Sequence, residues 1–211
     1  WENDTDPDVG DSVDDSSTMI PFGGGPLNGT IVYNPGTFEY TYTPNPGFSG
    51  LDRFQYFVRD LTGQISNQGT AWIRVGPSVG ISGFVYADPN DNGIKDASDI
   101  GLSGVLVQAI YNGNGFSFTQ TVRTDTTGRY EFVDNPNDPV RPIIMPPGTY
   151  SIVELQPAFL NDGKDTAGTP APTAAGSNDR FNGIVLAAGQ NAANYNFGEF
   201  QLRGDFTVSQ L

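Results

Sequence analysis

Neither cysteine nor histidine occurs in the 211 residues. Disulfides, thiolate nucleophiles, imidazole acid–base chemistry and zinc held by nitrogen and sulfur ligands are therefore excluded. Lack of cysteine does not identify a compartment, since an exported protein can dispense with it. Positive charge is scarce: Lys and Arg total 10 against 24 Asp and Glu, a formal charge of -14. A nucleic-acid partner needs a basic surface to neutralise phosphates, so none is expected. No run is long and apolar enough to span a bilayer, so membrane insertion is not expected. No signal-peptide pattern opens the sequence, so an exported form would be a mature chain or a fragment. Also missing is any window with apolar residues at i, i+3, i+4 and i+7, the mark of an amphipathic helix.

Turn formers and aromatics are plentiful instead. The chain holds 27 Gly and 16 Pro, and between them short stretches alternate apolar and polar residues. That pattern predicts an all-β protein. Fourteen Phe, nine Tyr and two Trp supply bulk for two modest cores, which argues against a disordered chain despite the acidity. The length suits two domains. The acids cluster in loops, where their self-repulsion favours bound cations.

Residues 1–28 are acidic and polar with little periodicity. Strands are expected at 29–33, around Phe38, Tyr40 and Tyr42, around Phe54, Tyr56 and Val58, and around Ala71, Ile73 and Val75, as one antiparallel sandwich. Gly76-Pro77-Ser78 reads as a linker, which sets a first domain at 1–76 and a second at 77–200. In the second, strands are expected at 81–87, around Val105, Val107 and Ala109, and at 118–124, 129–133, 149–155, 183–187 and 193–200. A polar loop of about 25 residues precedes 183, and loops of that length are usually functional or disordered. Glu154 alternates with Tyr150 and Ile152 and so points inward, where a carboxylate needs a partner or a proton. Residues 201–211 (QLRGDFTVSQL) alternate like one more strand.

The segment DPNDNGIKDASD, 88–99, has the spacing of a calcium loop. With Asp88 as position 1, side-chain oxygens fall at Asp88, Asn90, Asn92, Asp96 and Asp99, positions 1, 3, 5, 9 and 12. Gly93 stands at position 6, where the chain must bend, and the Ile94 carbonyl would be the position-7 ligand. Calcium takes six to eight hard oxygens, and this spacing wraps them round one ion without needing flanking helices. Position 12 is Asp rather than Glu, so a shorter carboxylate closes the site and affinity is expected to be on the order of millimolar to sub-millimolar. The bland alternative is a polar loop of Asx turns with no metal. A second set, Asp162, Asp165 and Asp179, and a third, Asn3, Asp4, Asp6 and Asp8, with Asp52 or Asp60 as an extension, are further candidates, each against the alternative of solvated acids.

Four ordered segments of the second domain carry a family resemblance: GFVYADPNDNGIKDASDIGLSGVLV, TDTTGRYEF, PPGTYSIVELQPAFLNDGKDTAG and NYNFGE. Residues 80–200 resemble the B-type repeat of serine–aspartate repeat surface proteins, related to the B domains of collagen-binding adhesins. The resemblance implies a prealbumin-like Greek-key β-sandwich, stabilised by calcium and strung in arrays on bacterial cell surfaces. In the first domain, NDTDPD at 3–8 and GTFEYTYTPNPGFSGLDRFQYFVRD at 36–60 resemble bacterial cadherin-like or immunoglobulin-like repeats. In that family NDTDPD follows the first strands of the domain, whereas here it comes almost at once. Either the chain is a fragment or the missing strand is supplied by something else.

These features lead to a non-catalytic, extracellular structural or adhesive module of a bacterial surface protein or secreted filament, rigidified by Ca2+. Its expected partners are other copies or neighbouring domains of a longer array. The tail 200–211 is a possible donor strand completing the first domain of the next subunit head-to-tail, against a frayed end of a cut fragment. The rival reading is an adhesin domain that binds a protein or carbohydrate through its long loops, with Phe159 and Phe181 as the few candidate contact aromatics, each set equally against a place in the core. Arg203-Gly204-Asp205 is an integrin-type tripeptide and Asn28-Gly29-Thr30 a glycosylation sequon, both short enough to arise by chance. Paired carboxylates occur only in loops where cations account for them, so no active site is expected. Related adhesin domains carry a Lys–Asn isopeptide bond, but 81–87 has no lysine, and the only lysines are Lys95 and Lys164. The intact mass should therefore equal the sequence mass; a deficit of one ammonia would overturn this.

Overall fold

The computed structural model describes residues 13–21, 23–135 and 143–202. Every regular element among them is a β-strand. The chain divides into two compact units between Val75 and Gly76, each a β-sandwich.

The described part of unit one has five strands: β1 (Val13–Met19), β2 (Gly29–Asn34), β3 (Glu39–Pro44), β4 (Gly50–Asp60) and β5 (Gly69–Val75). One layer is the sheet β1-β4-β5 and the other the hairpin β2-β3. β1 escaped the sequence reading because VDDSSTM has no apolar alternation; it is held by antiparallel pairing with β4 instead. Aromatics join the layers. Tyr33 and Tyr40 of the hairpin lie 4.9 Å apart, and Tyr40 meets Phe54 of β4 at 6.2 Å. The Tyr40 hydroxyl donates to the Thr18 carbonyl at 2.7 Å.

Asp52 sits on the same face of β4 as Phe54 and is fully buried. Four donors serve it: the backbone N–H of Leu27 (3.1 Å), of Asn28 (2.9 Å) and of Arg53 (2.9 Å), and the Tyr42 hydroxyl (3.0 Å). A carboxylate with its lone pairs so occupied is a structural acceptor that pins the 27–28 turn, the entry to β2, against the other sheet. Asn28 of this turn is the first residue of the sequon, and Gly29 and Thr30 open β2.

The described part of unit two has eleven strands: β6 (Gly80–Ala87), β7 (Ile100–Gly101), β8 (Leu106–Gly113), β9 (Phe116–Arg123), β10 (Arg129–Val133), β11 (Gly148–Glu154), β12 (Leu160–Asp162), β13 (Ala174–Ser177), β14 (Arg180–Leu186), β15 (Asn191–Ala192) and β16 (Phe197–Leu202). One sheet runs β10-β6-β16-β12 with β7 and β15 also on β6; the other runs β13-β14-β11-β8-β9. Alternation does the sorting: Val107, Ala109 and Tyr111 of β8 face inward, as do Tyr130 and Phe132 of β10. Phe181 of β14 packs on Phe197 of β16 at 5.0 Å, joining the two sheets. At Gly83 a Cβ would lie 1.9 Å from the Tyr195 carbonyl oxygen, so only glycine lets the 195 segment cross β6.

Three expectations change. The long polar loop before 183 is stitched down: it contains β12 and β13, and Thr166 and Thr169 form bridges to Asn196 and Ala193. Its pairings are too short to show periodicity. The tail does not start unpartnered at 200, because β16 runs on to Leu202, with Phe200 opposite Asn161 and Leu202 opposite Leu160 of β12. Residues 203–211, with the RGD tripeptide, lie outside the described residues. Phe181 is core rather than a contact aromatic.

Both tryptophans, Trp1 and Trp72, fall in residues 1–75, so tryptophan emission reports on unit one. Asp52→Ala strands the Leu27 and Asn28 N–H groups and should lower its stability to denaturant by about 2–3 kcal/mol. An unchanged midpoint in tryptophan-monitored urea unfolding would show the carboxylate is dispensable.

Candidate cation centre

Topology in unit two brings acids together from both sheets. β16 runs parallel to β6 and sets Glu199 beside Ala87. Directly after Ala87, the Asp88 N–H donates to the Glu199 carbonyl at 2.7 Å. On the other side of β16, β12 places Asp162 opposite Glu199. Like charges directly opposite across a ladder repel. From the second sheet come Glu154, the last residue of β11, and Asp179 in the turn before β14. They are tied by the Glu154 N–H donating to the Asp179 carbonyl at 2.9 Å.

The 88–99 loop is organised by Asx turns. Asp88 Oδ2 accepts from the Gly93 N–H at 2.8 Å, Asn90 Oδ1 from Asn92 N–H at 3.0 Å, and Asn92 Oδ1 from Ile94 N–H at 2.6 Å. Asp96 N–H donates to Asp99 Oδ2, and Ser98 N–H to Asp96 Oδ1, each at 2.8 Å. Gly93 makes the bend with φ +75, a conformation that side chains rarely adopt. The second oxygens of Asp88 and Asp99 are buried and accept nothing from the protein. Each of these two acids thus spends one oxygen on the loop and keeps the other free, as a ligand would. The Ile94 side chain is exposed. The Asp88, Asp96 and Asp99 carboxylates are not among the triads drawn within 4.8 Å.

Both lysines serve this loop. Lys95 Nζ lies 5.4 Å from the Phe84 ring centre and 5.5 Å from that of Tyr86. Lys164 Nζ donates to the Asp91 carbonyl at 2.6 Å and pairs with its carboxylate at 3.5 Å. Thr166 Oγ1 donates to the Gly93 carbonyl. The 162–166 segment is thereby fastened to the bend of the 88–99 loop.

The second candidate set is brought together: Asp162, Asp165 and Asp179 each offer an oxygen within 4.8 Å of the others. Asp165 accepts from the Asp179 N–H at 3.0 Å and the Gly198 N–H at 3.3 Å, and it borders an open depression shared with Asn92, Gly93, Lys164 and Arg180. A second triad, Glu154, Glu199 and Asp179, shares the same limit. Glu154 matches the inward orientation read from alternation. Glu199 was not singled out, although it alternates with the buried Tyr195 and Phe197 in the same segment. The third set, Asn3, Asp4, Asp6 and Asp8, lies outside the described residues. Of its possible extensions, Asp52 is saturated as above, and Asp60 accepts from the Gln64 N–H at 2.7 Å and the Thr62 hydroxyl at 2.9 Å.

Crowding shows in the acidities. Burial, then the neighbouring carboxylates Asp162 and Asp179, push Asp165 up to about 7 despite its two N–H donors. Burial likewise raises Asp179, Glu154 and Glu199; after burial, Asp162 raises Asp179 further, Glu199 and Asp179 raise Glu154, and Asp179 and Asp162 raise Glu199. The Tyr86 hydroxyl, buried without a partner, is pushed up to about 12, first by burial and then by Asp88 and Asp99.

The chain is thus all-β, with acids gathered between the sheets of its second sandwich. The comparisons define it further: residues 79–199 match the model of the SdrD B-like domain, and the chain belongs to that family. Residues 1–75 match the bacterial Ig domain model. Serine-aspartate repeat-containing protein D of Staphylococcus aureus (strain Newman) is 30% identical over 129 residues, covering 59% of this chain and 9% of the relative. Serine-aspartate repeat-containing protein F of Staphylococcus epidermidis is 28% identical over 142 residues, covering 65% of the chain and 8% of that protein. Colossin-A of Dictyostelium discoideum is 33% identical over 112 residues, 51% of the chain and 1% of the relative. The chain thus spans under a tenth of each of these proteins.

The acidities carry a sign. A carboxyl whose folded value lies above its unfolded one binds its proton more tightly in the fold, so its contribution to stability is present at low pH and lost as pH rises. In chelator, unit two should lose stability as pH rises from about 4, the unfolded Asp value, through the Asp165 value of about 7. Tyrosine-monitored melts across that range test it. A melting temperature that climbs with pH would contradict the burial described.

Proposed function

We propose that this chain is a non-catalytic structural module of an extracellular bacterial surface protein, stiffened by calcium. The ion would be held in the 88–99 loop by Asp88, Asn90, Asn92, the Ile94 carbonyl, Asp96 and Asp99, and a second at Asp162, Asp165 and Asp179. The observation that carries the reading is the fully buried Asp88, one oxygen bonded to the Gly93 N–H and the other unpartnered. A buried carboxylate oxygen without a donor is costly, and a hard cation removes the cost. The family and the names of the staphylococcal relatives support the setting.

The mechanism is mechanical. When bound, calcium supplies positive charge and six to eight coordination positions for oxygen. The residues do the rest. Asx turns pre-shape the loop, Lys164 and Thr166 fasten it to the 162–166 segment, and Asp88 roots it at the end of β6. Because the chain spans so little of its relatives, its natural partners are neighbouring modules of one long polypeptide. Donation of the tail to another copy is the less favoured arrangement, since β16 already uses residues up to Leu202 in pairing with β12.

Calcium at a hundred times its dissociation constant should stabilise the fold by about 2.7 kcal/mol, a rise in melting temperature of roughly 10 °C. Asp88→Asn and Asp99→Asn should each reduce that rise. Unit two lacks tryptophan and the tyrosines are shared between the units, so the circular-dichroism transition that tryptophan emission does not follow, with and without a chelator, reads it. A melt indifferent to chelation would sink the reading.

A further inference from the structure

We infer that unit two holds a further divalent cation, buried between its two sheets on Glu154, Glu199 and Asp179. This rests on the calcium reading above and adds to it a position distinct from the loop and from the Asp162, Asp165 and Asp179 set, with which it shares only Asp179.

Glu154 is 2% exposed and Glu199 is fully buried. Both oxygens of Glu154, Oε1 of Glu199 and Oδ1 of Asp179 are buried and receive no N–H or hydroxyl donor; the side-chain bonding of Glu154 with Asp179, and of Asp179 with Asp162, is carboxyl to carboxyl and needs a proton held between them. One oxygen from each of the three residues lies within 4.8 Å of the other two. An acidic cluster on the surface carries no such implication, because water serves it. Here the carboxylates are withdrawn from water and aimed at one another. Burying an ionised carboxylate without compensation costs several kcal/mol, and among the described residues no basic side chain pairs with these three. The neighbouring Arg180 turns its Nε to Asn182 Oδ1 at 2.6 Å. The one polar side chain that reaches in is Gln156, whose Nε2 donates to Glu199 Oε2 while its own Oε1 is buried and unpartnered. The pit is therefore rich in oxygen acceptors and poor in donors, which is the donor set of a hard cation.

The chemistry favours calcium over magnesium. Magnesium gives up its water reluctantly and demands near-octahedral ligands, whereas calcium dehydrates readily and accepts irregular oxygen shells. A pit lined by two glutamates at 0–2% exposure leaves little room for retained water. Geometry also assigns a role. Glu199 belongs to the sheet of β6 and β16, whereas Glu154 and Asp179 belong to the strand and turn of the sheet of β11 and β14. A cation here joins the two layers of the sandwich, where the loop ion would tighten only one end of β6. Asp179, common to both triads, would bridge this ion and the one at Asp162 and Asp165.

The test counts bound calcium per whole chain by equilibrium dialysis. E154Q/E199Q keeps size and shape while removing both charges, and should bind one ion fewer than the wild type. D96N/D99N should lose the loop ion and retain the buried one. In chelator at pH 8 the melting temperature of E154Q/E199Q should rise, because repulsion is relieved, while its calcium-induced shift shrinks. If the double variant does not fold, as judged by its β-type circular dichroism, E154Q and E199Q are counted singly under the same criterion. Equal calcium in E154Q/E199Q and wild type would overturn the inference while leaving the loop reading intact. Equal calcium in D96N/D99N and wild type would remove the loop reading and leave this one standing. A wild type that binds no calcium would end both.

Discussion

Carboxylates forced together where two sheets meet are the constraint around which the second sandwich is arranged. The pairing that builds the fold is the pairing that creates the charge problem. β16 lies parallel to β6 and delivers Glu199 to the root of the 88–99 loop, and β12 adds Asp162 directly opposite. The register cannot slip by one residue to separate them, because a slip would turn Phe197 out of the core. The repulsion must be met by protons or by cations. Protons serve at low pH, as the raised value of Asp165 indicates. Asp165 sheds its proton near neutrality, whereas burial holds protons on Glu154 and Glu199 to higher pH, so a divalent ion there would have to displace them.

The chain divides its two lysines unevenly over this problem. Lys95 and Lys164 both attend the 88–99 loop, so that loop has partial neutralisation and a dense set of internal bonds without any ion. The pit at Glu154 and Glu199 has neither lysine. A loop that is already shaped pays less entropy on binding, which favours affinity. A pit without counter-charge gains more stability per ion, because the metal-free alternative is worse. The two positions therefore differ in kind: one is pre-organised, the other is destabilised when empty of charge.

Much of the fold was legible because alternation survives wherever one face is buried. Val107 and Ala109, Tyr130 and Phe132, and Tyr150, Ile152 and Glu154 all point inward as their period of two requires. What stayed hidden follows from the same rule. β12 and β13 are three and four residues long, too short to show a period, so 156–179 reads as loop. β1 is polar and relies on backbone pairing. Glu199 and Asp52 were hidden differently: each continues an inward face, Glu199 after Tyr195 and Phe197 and Asp52 before Phe54 and Tyr56. A charged residue on an apolar face is a signal, and it is easily passed over when attention goes to charge runs in loops.

Asp52 and Glu154 show why burial alone does not make a ligand. Both are acids at the end of an inward-facing strand pattern, and both are withdrawn from water. Asp52 receives three backbone N–H groups and a hydroxyl, so its charge is spread over donors and nothing remains to bind. Glu154 receives none on either oxygen. The difference lies in what the topology places nearby. In unit one a turn arrives with its N–H groups exposed; in unit two the nearby N–H groups of Asp179 and Gly198 are spent on Asp165, and the side chains presented to Glu154 are acids. A carboxylate in the first setting holds the chain together unaided. In the second it needs a proton or a bound positive charge, and that need is a consequence of how the sheets are paired.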